Sequence, residues 1–299
     1  MVRTDSGTFT CFTRGKKSEV ACGDWVLIEK TSNDQGVIAS IVPRDNLVYR
    51  SDAYRSKVLA ANVSLVVVVV ATEPSFSDDL LGRALVCAET LQLPGAVVLN
   101  KSDLSDRLPE ARRRLALYSS LGIAIHEISA KAAPAATVHA LMPSLRGRTS
   151  LFLGQSGMGK STLLNLLVPS AQAATREISE ALHAGKHTTT DSRLYDLPAH
   201  EPLVASRAGS SAAGTAIVAS IIDTPGFQEF GLAHLTPGEI ERAFPDFRPF
   251  LGRCRFYNCT HIAEPGCAIR DATESGAIDK GRYALFTALN RESRTGNAS

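Results

Sequence analysis

Residues 151–164, LFLGQSGMGKSTLL, combine glycines, a lysine and a hydroxyl at the spacing of a phosphate-binding loop. An apolar run ends at Leu153, the pattern G-x-x-x-x-G-K-[ST] follows, and a helix-forming run begins at Thr162. Glycines let backbone N–H groups point at an anion, the lysine supplies a charge for the β- and γ-phosphates, and the serine hydroxyl can ligate Mg²⁺. The predicted phosphate-binding residues are Gly154, Gln155, Ser156, Gly157, Met158, Gly159, Lys160, Ser161 and Thr162.

Two motifs before this loop can recognise a base. In Asn100-Lys101-Ser102-Asp103, the Asp103 carboxylate can accept from guanine N1–H and the 2-amino group, whereas adenine would leave it unpaired. Asn100 can brace the loop, and the stem of Lys101 can lie over the ring. The second motif follows one helix and one strand later and consists of Ser129, Ala130 and Lys131, whose backbone N–H groups can meet guanine O6. Together the two motifs predict a guanine nucleotide.

The residues after the phosphate loop can complete a magnesium site and a hydrolytic centre. The sequence Asp223-Thr-Pro-Gly226 ends an apolar strand, so Asp223 can hold Mg²⁺ through water and the Gly226 N–H can meet the γ-phosphate. One threonine of Thr188, Thr189 and Thr190 can complete the metal shell. The sequence does not decide among them, and Thr189 is taken for the prediction. The predicted magnesium ligands are Ser161, Thr189 and Asp223, and the predicted catalytic residues are His187, Thr189 and Gly226.

Near the end of the chain, CRFYNCTHIAEPGC has the spacing of a metal site. Cys254, Cys259, His261 and Cys267 supply three thiolates and one imidazole within fourteen residues. Such a set fills a tetrahedral zinc site and leaves no position for water, which predicts one structural Zn²⁺. The alternative is three reduced thiols without a metal. The neighbouring Arg253, Arg255, Phe256 and Tyr257 suit contact with RNA, although packing explains Phe256 equally well.

The composition is that of an ordinary globular protein: 299 residues, a net charge of +2, 44% hydrophobic and 21% charged. So small a net charge does not by itself argue for nucleic-acid binding. Six cysteines in a chain of this length do not form a disulfide framework, which favours a reducing compartment. The longest apolar run, residues 63–71, is too short for a membrane span, and the first residues lack a signal-peptide pattern. We therefore expect a cytoplasmic protein with no membrane partner, and we also expect a monomer.

The elements that position these residues differ along the chain. Residues 1–57 contain short alternating runs at 8–13, 25–28 and 36–42, which predict a small β-barrel. We expect Phe12 and Trp25 in its core rather than on a base-stacking surface. Lys16 and Lys17 can follow a phosphate backbone or be plain solvated charges. From Ser64 onwards, continuous apolar runs alternate with helical segments, which predicts a doubly wound, mostly parallel α/β sheet. A helix over 276–289 and an insertion over 206–214 are also predicted.

The motifs together spell out a guanine-nucleotide hydrolase, but the base-recognition motifs precede the phosphate loop instead of following it. The chain therefore resembles a circularly permuted GTPase, and with its β-rich start and cysteine cluster it resembles the ribosome small-subunit-dependent GTPase A family of bacteria. The resemblance implies an α/β fold in which a permuted P-loop GTPase domain (58–233) lies between an OB-like β-barrel (1–57) and a zinc-binding helical domain (234–299). It also implies hydrolysis of GTP to GDP and phosphate with Mg²⁺, stimulation by the small ribosomal subunit, contact with its rRNA, and a role in late maturation of that subunit.

Two features bear on mechanism, and two other functions remain open. Phe227 stands where many GTPases place a water-orienting glutamine, so we expect slow intrinsic hydrolysis. His187 is one candidate for orienting water, a group of the partner is another, and a plain loop histidine is equally compatible. The permutation also leads from Asp223 into the C-terminal domain within about ten residues. A phosphate-loop kinase or ATPase is disfavoured because Asn100 and Asp103 would have no purpose there, and an RNA-binding scaffold with a nucleotide switch is the non-enzymatic alternative.

Overall fold

The computed structural model describes residues 1–13, 20–51, 56–169, 171, 192–198, 217–226 and 229–296. Several sequence predictions lie outside this part of the chain. They concern the charged residues Lys16 and Lys17, the catalytic candidates His187 and Thr189 with the flanking threonines, Phe227, and the insertion over 206–214.

The N-terminal strands form a half-barrel built from two small sheets. The first sheet has the order β1-β2-β4-β3, with β2 and β4 parallel and the other pairs antiparallel. Its strands are β1 (Val2–Thr4), β2 (Gly7–Thr13), β3 (Val26–Lys30) and β4 (Gln35–Ile41). A separate antiparallel hairpin follows, formed by β5 (Leu47–Ser51) and β6 (Ser56–Ala61).

The expectation that Phe12 and Trp25 lie in the barrel core is wrong. Their relative exposures are 60% and 70%, and Leu27 is 61% exposed. Successive side chains of a strand point to opposite faces, and Phe9, three residues before Phe12, is buried. The sheet therefore buries only one face, and β2 and β3 present large apolar side chains to solvent.

The central unit is a six-stranded sheet in the order β11-β12-β10-β7-β8-β9, in which β11 alone is antiparallel to its neighbour. Its strands are β7 (Leu65–Ala71), β8 (Gly95–Asn100), β9 (Ala124–Glu127), β10 (Thr149–Gly154), β11 (Arg193–Pro198) and β12 (Ile217–Asp223). The helices are α1 (Asp78–Thr90), α2 (Leu108–Ser120), α3 (Pro134–Leu145) and α4 (Lys160–Leu167). Every residue of β7 is buried, as expected for a central parallel strand. The predicted α/β fold class is confirmed.

The C-terminal unit is helical and packs against α1. It consists of α5 (Pro237–Arg242), a 3₁₀ turn (Pro245–Phe247), α6 (Ala268–Glu274) and α7 (Lys280–Gly296), the last starting and ending later than the predicted helix. Arg83 of α1 donates to both carboxylate oxygens of Glu292 at 2.7 and 2.6 Å. A Cβ at Gly82 would lie 2.5 Å from Leu285 Cδ2, so the glycine allows α7 to approach. The predicted boundaries after residues 57 and 233 stay predictions. No helix in the described ranges is long and apolar enough to cross a membrane.

Candidate nucleotide site and metal centre

The predicted phosphate-binding loop connects β10 to α4 and needs glycine at two positions. Gly157 and Gly159 have φ values of +84° and +82°, in the left-handed region that favours glycine. A Cβ at Gly159 would lie 2.3 Å from Nδ2 of Asn100, so the loop passes directly over the base-recognition motif. Ser161 and Thr162 lie in the first turn of α4, and both are exposed. Backbone N–H groups at a helix start are suited to anions, so this arrangement can bind phosphate.

Asn100 joins the three predicted nucleotide motifs. It ends β8, and its side chain is buried. Its Oδ1 accepts from the backbone N–H of Ala130 at 3.1 Å and of Lys101 at 2.9 Å. Its Nδ2 donates to the Met158 carbonyl of the phosphate loop at 3.1 Å. Every polar atom of this buried amide has a partner, so Asn100 sets the distance between the base and phosphate ends of the site.

The remaining base-recognition residues lie beside Asn100. The Ser129 hydroxyl donates to Asp103 and accepts from the backbone N–H of Ala132 at 3.2 Å, which fixes the orientation of the carboxylate. The Lys101 ammonium donates to the carbonyls of Gly157 at 2.9 Å and Glu73 at 2.6 Å, so its stem extends across the site. Lys131, the last residue of the second motif, is exposed.

The phosphate end brings Lys160 to the strand that ends in Asp223. Lys160 is 8% exposed, and its ammonium donates to the Asp223 carboxylate and the Thr224 carbonyl. The Thr224 hydroxyl donates to the Phe152 carbonyl of β10 at 2.9 Å, which fixes this corner to the sheet. A Cβ at Gly226 would lie 3.3 Å from the backbone nitrogen of Ser156, so the segment after Asp223 runs close to the phosphate loop.

The donor set at this end fits Mg²⁺. A serine hydroxyl and a carboxylate are hard oxygen ligands of the kind that Mg²⁺ accepts beside phosphate oxygens. Ser161 occupies the start of α4, and Asp223 lies against the adjoining Lys160. The third predicted ligand, Thr189, lies outside the described residues, as does His187.

The four predicted zinc ligands converge in the C-terminal unit. One ligand atom from each of Cys254, Cys259, His261 and Cys267 lies within 4.8 Å of the others. His261 Nδ1 is 3.4 Å from Sγ of both Cys254 and Cys267, and those two sulfurs are 4.0 Å apart. A tetrahedral zinc with ordinary Zn–S and Zn–N distances separates sulfurs by about 3.8 Å and sulfur from nitrogen by about 3.6 Å. The donor set and its spacing therefore fit zinc.

Two features of the surroundings bear on metal binding. Burial raises the pKa of the Cys259 thiol to about 12 and also raises the pKa of Cys267, which opposes ionisation of both thiols when no metal is bound. Zinc binding must therefore release protons. The Glu264 carboxylate accepts from the hydroxyl and N–H of Thr260 at 2.7 and 3.0 Å and from two further backbone N–H groups. These bonds lower the pKa of Glu264 to about 2 and hold the turn between the ligands.

A model of the RsgA GTPase family matches residues 41–233. The chain belongs to this family. Over 96% of its length it is 55% identical to the small ribosomal subunit biogenesis GTPase RsgA of Paraburkholderia phymatum, and the match covers 85% of that relative. Over 97% of its length it is 54% identical to the small ribosomal subunit biogenesis GTPase RsgA of Ralstonia nicotianae, and the match covers 87% of that relative. Its fold is similar to that of YjeQ from Thermotoga maritima, with a TM-score of 0.66 and 27% identity over 97% of this chain and 91% of YjeQ. It is also similar to the fold of YloQ, a circularly permuted GTPase, with a TM-score of 0.63 and 25% identity over 97% of this chain and 88% of YloQ. The predicted family and GTPase class are confirmed.

Sequence reasoning missed one connection of the site. The backbone N–H of Ser77, the N-cap of α1, donates to the Gln155 side chain of the phosphate loop at 2.8 Å. The Ser-Asp-Asp sequence at 77–79 carries the signal of a helix start, since the Ser77 hydroxyl accepts from the N–H of Leu80 at 3.2 Å. Nothing in the sequence shows that this helix start touches the phosphate loop.

Proposed function

We propose that this chain binds GTP with Mg²⁺, hydrolyses it to GDP and phosphate in late maturation of the small ribosomal subunit, and is stimulated by that subunit. The observation that carries the nucleotide part is the buried Asn100 side chain, which bonds both to the Ala130 backbone and to the phosphate loop. The ribosomal part is supported by relatives at 54–55% identity that are named small ribosomal subunit biogenesis GTPases.

The proposed roles follow from phosphoryl transfer, which depends on positioning and on stabilising developing charge. Asp103, oriented by Ser129, accepts from the guanine edge. The Lys160 ammonium exchanges its bonds to Asp223 and Thr224 for the β- and γ-phosphates. Ser161, Asp223 and Thr189 hold Mg²⁺, which neutralises phosphate charge when bound. The Gly226 N–H donates to the γ-phosphate, and His187 is the proposed group for orienting water.

The proposed contact with rRNA is supported by exposed aromatic side chains at both ends of the molecule. Phe12 of β2 and Trp25, which immediately precedes β3, are 60% and 70% exposed. In the zinc unit Phe256 is 41% exposed, Tyr257 is fully exposed, and the Arg255 guanidinium lies over the Phe256 ring at 5.5 Å. Splayed bases of RNA stack on aromatic and guanidinium planes, so these groups suit a single-stranded rRNA segment. For a factor of this kind we propose a cytoplasmic location and a monomeric state.

The test is multiple turnover of GTP, and of ATP in parallel, by the full chain alone and with small subunits, large subunits or free rRNA. Of these three additions, we expect only small subunits to raise GTP turnover well above the rate of the chain alone. We also expect a non-hydrolysable GTP analogue to retain the protein on small subunits in co-sedimentation. Equal use of ATP and GTP would point to a kinase or ATPase. Binding without turnover would point to an RNA-binding scaffold. Unchanged turnover over a range of salt concentrations would overturn the ribosomal assignment.

A further inference from the structure

The two ring nitrogens of His261 face different groups. The residue is 4% exposed, and its Nδ1 lies 3.4 Å from the sulfurs of Cys254 and Cys267. Its Nε2 lies 3.2 Å from Oε2 of Glu241, a residue of α5 that is outside the ligand run 254–267. One nitrogen of a neutral imidazole carries a hydrogen and the other a lone pair, so these surroundings determine which tautomer is favoured.

A metal among the sulfurs needs the lone pair on Nδ1, and the hydrogen must then be on Nε2. That hydrogen belongs to a side chain that is 4% exposed and needs an acceptor, which the Glu241 carboxylate supplies. The opposite tautomer would bring the Nε2 lone pair against the carboxylate oxygen. A carboxylate on the outer nitrogen also makes an imidazole a stronger metal donor. We propose that Glu241 is a positioning residue of the zinc site, which selects the metal-binding tautomer of His261 and holds its ring.

The backbone of His261 is held from a second helix. Its φ is +62°, a conformation that non-glycine residues adopt at a cost. The Tyr283 hydroxyl of α7 donates to the His261 carbonyl at 2.7 Å, so α7 fixes the backbone while α5 fixes the ring. The ring and the backbone of His261 are thus each contacted by a helix that lies outside the ligand run 254–267.

The position of Glu241 also connects the metal to the segment after the nucleotide site. Helix α5 starts at a capping box, in which the Thr236 hydroxyl accepts from the N–H of Glu239 and the Glu239 carboxylate accepts from the N–H of Thr236. That start lies ten residues beyond Gly226. A metal-bound His261 therefore holds the first helix that follows the predicted switch.

The test uses the full chain with Glu241→Ala, Glu241→Gln and, as a matched control, Arg242→Ala, which removes the adjacent exposed side chain. Zinc affinity is measured by competition with a chromophoric chelator, and the His261 tautomer by NMR of the cadmium-substituted protein. This inference rests on the proposed zinc site. We expect Glu241→Ala to bind zinc about 10–100-fold more weakly, Glu241→Gln to lie between, and Arg242→Ala to match the unmodified chain.

Urea unfolding of the metal-free and zinc-loaded forms separates this role from a merely structural one. A positioning role lowers the stabilisation that zinc adds, whereas a structural role lowers the stability of both forms equally. Unchanged zinc affinity in Glu241→Ala, or an Nε2-bound metal, would overturn this inference and leave the zinc site standing. Absence of stoichiometric zinc in the unmodified chain would overturn both.

Discussion

In the proposed function, a single side chain determines which base the site accepts. Asp103 is held by Ser129, and its carboxylate can accept two hydrogen bonds from guanine. Asp103→Asn keeps the size of the side chain but replaces one acceptor with a donor. We expect GTP affinity to fall by about a hundredfold, since hydrogen bonds to a charged group contribute ~1.5–3 kcal/mol each. Xanthosine triphosphate, whose 2-oxo group needs a donor, should bind the variant better than GTP does.

The measurement is competition of unlabelled nucleotides against a fluorescent GDP analogue. Asp106→Asn is the matched control, because it removes the same charge from an exposed position three residues away. Equal affinity of the unmodified chain for ATP and GTP would contradict the assignment of Asp103.

The metal ligands allow a second test at the residue scale. In the proposed zinc site, three thiols and His261 would supply the complete coordination, so Cys259→Ser should release the metal and unfold the C-terminal unit. Lys160→Ala changes the distant phosphate loop and should keep one zinc per chain. Metal analysis of the freshly purified proteins and far-UV circular dichroism check both expectations. A zinc-free but fully folded unmodified chain would contradict them.

At the scale of elements, the connection between α1 and α7 holds the C-terminal unit to the sheet. The side chain of Arg83 is 9% exposed and forms ion pairs with Glu292 and Asp79. Burial lowers the pKa of Arg83, but the hydrogen bonds to the two carboxylates outweigh it, so the pKa is raised. Arg83→Ala removes both ion pairs and leaves a space under α7. We expect the free energy of unfolding to fall by about 1–3 kcal/mol.

Urea unfolding at equilibrium measures this loss. Arg113→Ala, on α2, is the control because that side chain is 76% exposed and pairs with Glu110 on the surface. Its expected effect is below about 0.5 kcal/mol. Equal effects of the two substitutions would mean that the ion pairs of Arg83 add no more to stability than an exposed ion pair does.

Elements with a strong local pattern could be predicted, and elements defined by distant contacts could not. The five valines 66–70 marked a central strand because a strand covered on both faces is apolar throughout. The hairpin of β5 and β6 was missed, since its strands pair across a bulge and their apolar and polar residues do not alternate regularly. Helix α2 also carries a local signal, since Pro109 in its first turn marks a helix start.

The site follows the same division. The sequence predicted Asn100, Lys160 and the four proposed zinc ligands as site residues, because each belongs to a motif whose residues lie close together in the sequence. Glu241 could not be predicted, because it lies 20 residues from His261 and no spacing rule connects them. Phe12 and Trp25 were assigned to the core, because sequence alternation shows that a strand has two faces but not which face is covered.

At the scale of the whole molecule, the segment that follows the predicted switch contacts the N-terminal hairpin and continues into the C-terminal unit. The segment 229–234 follows Gly226 and pairs with β5. The backbone N–H of Ser51 donates to the Gly231 carbonyl at 2.9 Å, and the Ser51 carbonyl accepts from the backbone N–H of Ala233 at 3.2 Å. The Ser51 hydroxyl also lies 2.6 Å from Nδ1 of His234, whose pKa burial lowers. The same segment continues into α5, which contacts the zinc cluster through Glu241.

A nucleotide-dependent shift of residues 223–226 should therefore reach the N-terminal hairpin and the zinc unit together. We expect amide hydrogen exchange in β5 and in α5 to slow when a non-hydrolysable GTP analogue replaces GDP. The edge strand β9 has no part in this path and should not change. In Lys160→Ala the difference between the two nucleotides should vanish in both elements, because the phosphate loop can no longer distinguish them. If hydrogen exchange changes only at residues 223–226, the switch moves without β5 and α5. Coupling between the GTPase site and the flanking units would then require the proposed ribosomal partner.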